Sequence, residues 1–386
     1  TLDSEVKSNE AILALGVYGD YFIPLDVATR SEGGKTAITI NHLPEPAVNT
    51  RSLKRAVRIL FQKYANHYLG TPYSFPRLAR IEVSENGEVT YHDDEADIKK
   101  RVNEASRIGL YIHGIIGETK LMASSCRTDW LQLKTSVPGL GENHDLLLAF
   151  DYENINTPIE DVAALLKEKL AAVGLKPGHD KTFNIIAHSM GGLVSRWFVE
   201  YLGGNKVVNH LVMLGTPNGG TPLPQIEDWL LGALTVGLNA LAITAWPISL
   251  LNTIIAGIEK IDVNLDQMHP DSDFLKNLSR SPDPEIPYTI IAGNTSILPG
   301  GIGTVDEPGV IPMVWSRLKV ENKKNALMDF AFLLQPNDIA VSVESIKNLP
   351  ADWEITVPSI HEIASDHMSY FICEDGLRPL FEALKK

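Results

Sequence analysis

The chain has 386 residues, 44% of them hydrophobic and 21% charged, which supplies a sizeable core for one large domain or two. Such a composition excludes a disordered tail, a collagen and a disulfide-framed mini-protein. With 34 basic against 48 acidic residues the net charge is -14, so nucleic acid is not an expected partner and anionic membrane surfaces are disfavoured.

Cys126 and Cys373 are too few for a scaffold and lack C-x-x-C spacing, so they could pair or stay free. The chain begins with Thr1, so its start is expected to be trimmed, processed or cut from a longer chain. No basic segment followed by an apolar run marks a signal peptide, which slightly favours a cytoplasmic location.

In the first hundred residues Thr36–Ile40 is a short β-like run and the spacing of Leu53–Leu69 predicts a helix. Arg80–His92 predicts a hairpin, with Ile81-Glu82-Val83 and Val89-Thr90-Tyr91 flanking Asn86-Gly87. Asp94–Ser106 is polar and helical. Residues 1–105 are therefore expected to form a small α+β or β-rich accessory domain whose function is not legible.

From Arg107 onward strands and helices alternate, which predicts βα units and a mostly parallel sheet. Apolar runs at Ile108–Ile112, Leu146–Phe150, Thr182–Ala187, Asn209–Leu214 and Tyr288–Ala292 read as strands, with Trp353–Val357 as a last one. Their uniformly apolar character suits a sheet covered on both faces. Ile159–Leu175 reads as a helix, with Val162, Leu165, Leu166 and Leu170 on one side and Gly174 as its stop.

The strongest motif is Phe183-Asn184-Ile185-Ile186-Ala187-His188-Ser189-Met190-Gly191-Gly192. A strand meets small-x-Ser-x-Gly and passes at once into an amphipathic helix capped by Gly203-Gly204. A sharp strand-to-helix turn lifts the serine hydroxyl above the sheet edge, and crowding there admits only small residues two places to either side. The helix N-terminus offers free N–H groups and a positive dipole end to a developing oxyanion. The alternative role for Ser189 is a helix N-cap, which serine favours.

This segment resembles the nucleophile elbow of the α/β-hydrolase family, and its lipase and esterase branch in particular, with Ala187 where glycine is usual. Two further segments share the resemblance. Leu110-Tyr111-Ile112-His113-Gly114-Ile115 resembles the family's H-G turn after an early strand, and Val212-Met213-Leu214-Gly215-Thr216-Pro217-Asn218-Gly219-Gly220 its G-T-P turn. The resemblance implies an oxyanion hole formed by the backbone N–H groups of Ile115 and Met190, with Gly114 the near alternative to Ile115. His113 is then a structural residue of its own loop.

The family's chain order is Ser, then Asp or Glu, then His. His367, in Asp366-His367-Met368-Ser369-Tyr370-Phe371, is preferred to His361 as the base. Asp338 lies in Asn337-Asp338-Ile339-Ala340-Val341-Ser342, similar to a lipase N-D-G loop with Ile339 in the glycine place, 29 residues before His367. Asp306 is the reserve choice. His188 is expected to point away along the turn, and Arg196 to be a surface or packing residue. No motif suggests a metal, and no cofactor is implied.

Trp229–Gly257 runs 29 residues without a charge. Its length would suit a membrane span, but Gly232, Gly237, Asn239 and Pro247 interrupt it. It falls where lipases insert a lid, so the resemblance implies a helical lid at about 221–285. Trp229, Leu230, Leu234 and Trp246 would then contact substrate, and the lid could touch a lipid surface transiently.

The expected architecture is thus an α/β-hydrolase core over 106–386. The resemblance implies a carboxylic ester hydrolase acting on a small-molecule ester or lipid. Acyl transfer, thioester or amide cleavage by the same triad, a non-catalytic binding module and a membrane-associated scaffold are the alternatives.

Overall fold

A computed structural model describes the strands of the first 65 residues, then residues 76–385 apart from 116–118, 132, 134–135, 153–156, 223–262, 298–335 and 339. The chain divides into two compact units, and the larger begins at Tyr73.

Near the N-terminus lie β1 (Leu2–Ser4), β2 (Glu10–Tyr18), β3 (Tyr21–Pro24), β4 (Val27–Glu32), β5 (Lys35–Ile40) and β6 (Arg58–Ala65). They form two antiparallel three-stranded sheets, in the orders β1-β5-β4 and β3-β2-β6. The helix expected at 53–69 is not formed over Arg58–Ala65. These residues pair with β2 along its length, from Val17↔Arg58 to Glu10↔Ala65. Leu60, Phe61 and Tyr64 satisfy a helical period locally, but Ile59, Phe61 and Tyr64 also suit a strand, and a long cross-strand partner decides between them.

The larger unit is built on an eight-stranded sheet. Its strands are β7 (Arg77–Val83), β8 (Val89–His92), β9 (Arg107–Ile112), β10 (Leu146–Asp151), β11 (Thr182–His188), β12 (His210–Leu214), β13 (Tyr288–Gly293) and β14 (Ser359–Ile363), in the order β14-β13-β12-β11-β9-β10-β7-β8. From β14 to β10 all pairs are parallel; β7 runs antiparallel to both β10 and β8. The predicted hairpin therefore belongs to this sheet rather than to an accessory domain. Leu148↔Arg80 and Phe150↔Leu78 are in register, which moves the expected boundary at 105 back to the residues before β7.

Eight helices complete the described part of this unit: α1 (Glu95–Glu104), α2 (Lys120–Ala123), α3 (Ile159–Ala172), α4 (Met190–Tyr201), α5 (Val263–Met268), α6 (Asp273–Leu278), α7 (Val343–Lys347) and α8 (Glu374–Leu384). Every residue of β10 and β13 is buried, as a sheet covered on both faces requires. Tyr111, Ile186, Val212, Leu214 and Ile291 pack on one face with Leu380, Phe381 and Leu384 of α8. Alternation sends the intervening residues to the other face, where α4 lies beside α3 and against β9, β11 and β12.

The last strand is displaced from its expected place. Trp353–Val357 is irregular because the amides of Ile355 and Thr356 donate to the Asp283 carboxylate, at 2.7 and 3.2 Å, rather than to a ladder. The strand forms at Ser359–Ile363, after Pro358, on the sheet edge.

Arg196 is not on the surface. It is 1% exposed and grips Glu200 through two hydrogen bonds of 2.8 and 3.1 Å, while also donating to Asn218 Oδ1 and the Leu278 carbonyl. Glu200 accepts a further bond from the Tyr288 hydroxyl. Arg196→Met leaves a buried carboxylate without its counter-ion. Denaturant unfolding should show a loss of about 3–5 kcal/mol, partly restored by adding Glu200→Gln.

Candidate active site

Strand β11 passes into α4 through a single residue, Ser189. Its φ of 53° and ψ of -129° lie in territory that side-chain-bearing residues rarely adopt. The turn is held by a 2.9 Å bond from the Ser189 amide to the Leu214 carbonyl, at the end of the neighbouring strand. Ser189 occupies the N-cap position of α4, but its side chain makes no capping bond there. The Gly192 amide bonds back to the Ser189 carbonyl at 2.9 Å, which leaves the amides of Met190 and Gly191 at the positive end of the helix dipole.

The H-G turn at the end of β9 lies directly against this serine. A methyl group placed on Gly114 would sit 2.6 Å from Ser189 Cβ and 3.1 Å from its Oγ, so only glycine allows the approach. His113 is buried and stacks on Tyr152. Its Nδ1–H donates to the Gly114 carbonyl at 2.7 Å, while Nε2 accepts from the Tyr152 amide at 3.3 Å. Both bonds suit a neutral ring, and burial lowers its pKa despite the pull of Asp151. Because a peptide unit is planar and trans, holding the Gly114 carbonyl toward His113 turns the Ile115 N–H the opposite way.

The loop is anchored at its far end as well. Asp151, at the end of β10, accepts from the Thr119 amide and hydroxyl at 3.2 and 2.9 Å and pairs with Arg77 at 2.5 Å. Sequence reading missed this anchor because its three members come from separate segments.

Asp338 and His367 meet as expected. His367 Nδ1 is 2.6 Å from Asp338 Oδ2, with His367 1% exposed and Asp338 fully buried. The Asp338 loop folds on itself: the amides of Ala340 and Val341 donate to Oδ1 at 3.1 and 2.7 Å. In addition, the His367 amide donates to the Asp338 carbonyl at 2.8 Å. The G-T-P turn presses on this pair, since a side-chain carbon at Gly215, whose φ is +60°, would lie 2.9 Å from Asp338 Oδ2 and 3.0 Å from His367 Nδ1. His361, on the edge strand β14, bonds Ser359 instead.

His188 does not point away along the turn. Its Nε2–H donates to the His367 carbonyl at 2.8 Å, and the two rings lie 4.7 Å apart. The residue before the serine thus tethers the histidine. Burial pushes the His188 pKa well below the usual imidazole value, so its ring is neutral. Tyr370 was also missed: its hydroxyl donates to Asp338 Oδ2 at 2.8 Å. The signal available was its place three residues after His367, where one turn brings it back to the same carboxylate.

Trp229, Leu230, Leu234, Trp246 and Asp306 lie outside the described residues. Within the expected lid insertion 221–285, residues 223–262 lie outside the described residues; on either side of them the Thr221 amide donates to the Met268 carbonyl at 2.9 Å, and the Thr221 hydroxyl donates to the Ala340 carbonyl. Thr221 thus reaches the Asp338 loop. Cys126 and Cys373 are separate free thiols, the first raised to about 11 by burial. Among the described residues no cluster of His, Cys, Asp or Glu could hold a metal ion, and no helix is long and apolar enough to cross a membrane.

The mostly parallel eight-stranded sheet with helices packed against it is consistent with an α/β-hydrolase-like fold. The chain belongs to the DUF7379 family, a domain of unknown function, whose model matches residues 77–385. No curated protein matches it. Among solved structures it is similar to the Bacillus licheniformis lipase BlEst2 in mature form, with 19% identity over 73% of this chain and 92% of that one and a TM-score of 0.41. A lipase-esterase related protein from Clostridium acetobutylicum gives 12% identity over 81% and 99% of the two chains, with a TM-score of 0.39. A membrane phospholipase A, a bacterial virulence factor, gives 12% identity over 73% and 78%, with a TM-score of 0.42.

Proposed function

We propose that the protein is a serine hydrolase that cleaves carboxylic esters bearing a hydrophobic or acyl portion. The observation that carries this reading is the buried Asp338–His367 pair, tethered through His188 to the strained serine elbow. Ser189 attacks the ester carbonyl, and His367 takes its proton on Nε2, because Nδ1 is engaged with Asp338. The same nitrogen protonates the leaving alcohol, and a water then repeats the sequence to release the acid. Asp338 fixes the tautomer and stabilises the imidazolium. The amides of Ile115 and Met190, with Gly114 as the alternative to Ile115, bind the oxyanion. No cofactor enters this scheme.

The apolar insertion supplies the substrate preference. Thr221, which precedes it in the chain, bonds Ala340 of the Asp338 loop, and the insertion's uncharged sequence, including Trp229, Leu230, Leu234 and Trp246, would line an acyl-binding surface as a lid. Contact with a lipid surface would go through the same segment.

Hydrolysis of p-nitrophenyl esters from acetate to palmitate tests the reading. Turnover with an optimum at medium or long chains is the expected result; absence of turnover on every ester would overturn ester hydrolysis. Product analysis with a competing alcohol separates hydrolysis from acyl transfer.

His113 supplies a second check. His113→Phe keeps the stack on Tyr152 but releases the Gly114 carbonyl, freeing the Ile115 peptide to rotate. We expect kcat to fall about 100-fold, the scale of losing one oxyanion donor, with KM little changed.

A further inference from the structure

The carboxylate of Asp338 has a second suitor besides His367. Tyr370 Oη lies 2.8 Å from Oδ2, the same oxygen that His367 Nδ1 approaches at 2.6 Å. The direction of the tyrosine bond is fixed by a third group: the Gly293 amide donates to Tyr370 Oη at 2.7 Å. A phenol has one proton, and with the Gly293 N–H occupying a lone pair that proton is directed to Asp338. Tyr370 is fully buried. Burial and the adjacent Asp338 raise its pKa well above the ordinary phenol value, so it stays a donor.

We infer that Tyr370 is a positioning residue that shares Asp338 Oδ2 with His367 and so sets how strongly the carboxylate supports the imidazolium. The inference rests on the proposed triad. Oδ1 is already occupied by the Ala340 and Val341 amides, so Oδ2 is the oxygen left to divide its charge between the phenol and the imidazole. A stronger phenol donor draws charge from the imidazolium; a missing one returns it. Other titratable groups facing the pair are few among the described residues. The neutral His188 ring packs on His367, His113 lies beyond it, and Asp366 precedes His367 in the chain.

The test is the pH dependence of kcat/KM, whose acid limb reports the free enzyme's essential base. Tyr370→Phe removes the donor, so the imidazolium is held more tightly. The acid limb should move about 0.5–1 unit toward higher pH, with a several-fold lower rate at neutral pH and little change in KM. Phenylalanine also deprives the Gly293 amide of its acceptor, which lowers the melting temperature. A second variant avoids this: 2,3-difluorotyrosine at 370 keeps both bonds and donates more strongly, so the limb should move toward lower pH. Opposite shifts are not produced by a merely structural tyrosine. An acid limb that stays in place in the folded fluorinated enzyme would overturn the inference while leaving the triad intact. A parent enzyme without ester turnover and without fluorophosphonate labelling of Ser189 would overturn both.

Discussion

Ser189→Ala should reduce ester turnover by about five to six orders of magnitude in kcat, the loss seen when the nucleophile is removed from a cooperating triad. The effect is so large because no other described group can take the serine's place at the elbow. The turn puts one side chain at the helix N-terminus, and Gly114 lies so close on the opposite side that a side-chain carbon there would come within 3.1 Å of Oγ. What remains is the residual assistance of the oxyanion amides and binding. Stability should change little or rise, because alanine loses no capping bond at this position. Steady-state assays on a responsive p-nitrophenyl ester, with a thermal melt on the same samples, measure both effects.

Asp338→Asn should lower kcat by about 10,000-fold. Four donors converge on this carboxylate: two amides on Oδ1, and His367 Nδ1 and the Tyr370 hydroxyl on Oδ2. An amide has one accepting oxygen, so either orientation of the asparagine sets its NH2 against two donors. Facing His367, it favours the tautomer protonated on Nε2, which cannot accept the serine proton. Facing the loop, it opposes the Ala340 and Val341 amides and loosens the turn. A stability loss of about 1–3 kcal/mol should accompany the loss of rate. Assays over pH 6–9, together with denaturant unfolding, separate the two effects.

Most of the parallel core was legible because its information is local. Strands such as β10 and β13 are apolar throughout, and the elbow combines a β-rich run, a small-Ser-small motif and a helical period in ten residues. The Asp338–His367 pair was legible from loop pattern and chain order, and the two side chains do meet. What the sequence withheld depends on distant partners. Arg58–Ala65 reads as a helix alone and becomes a strand on β2. The Asn86-Gly87 hairpin was visible, but only its pairing with β10 assigns it to the large sheet. Arg196, read as either a surface or a packing residue, is buried because Glu200 one turn on and Asn218 from the G-T-P turn satisfy it. His188 and Tyr370 flank the site residues in sequence, yet their roles follow from which atoms they reach.

The most direct test of the central claim is mass spectrometry after treatment with a fluorophosphonate, which reacts with an activated serine. The account predicts one adduct per chain, located on Ser189, and its loss in Asp338→Asn at short reaction times. An unlabelled folded protein, or an adduct mapped to any other serine, would contradict it.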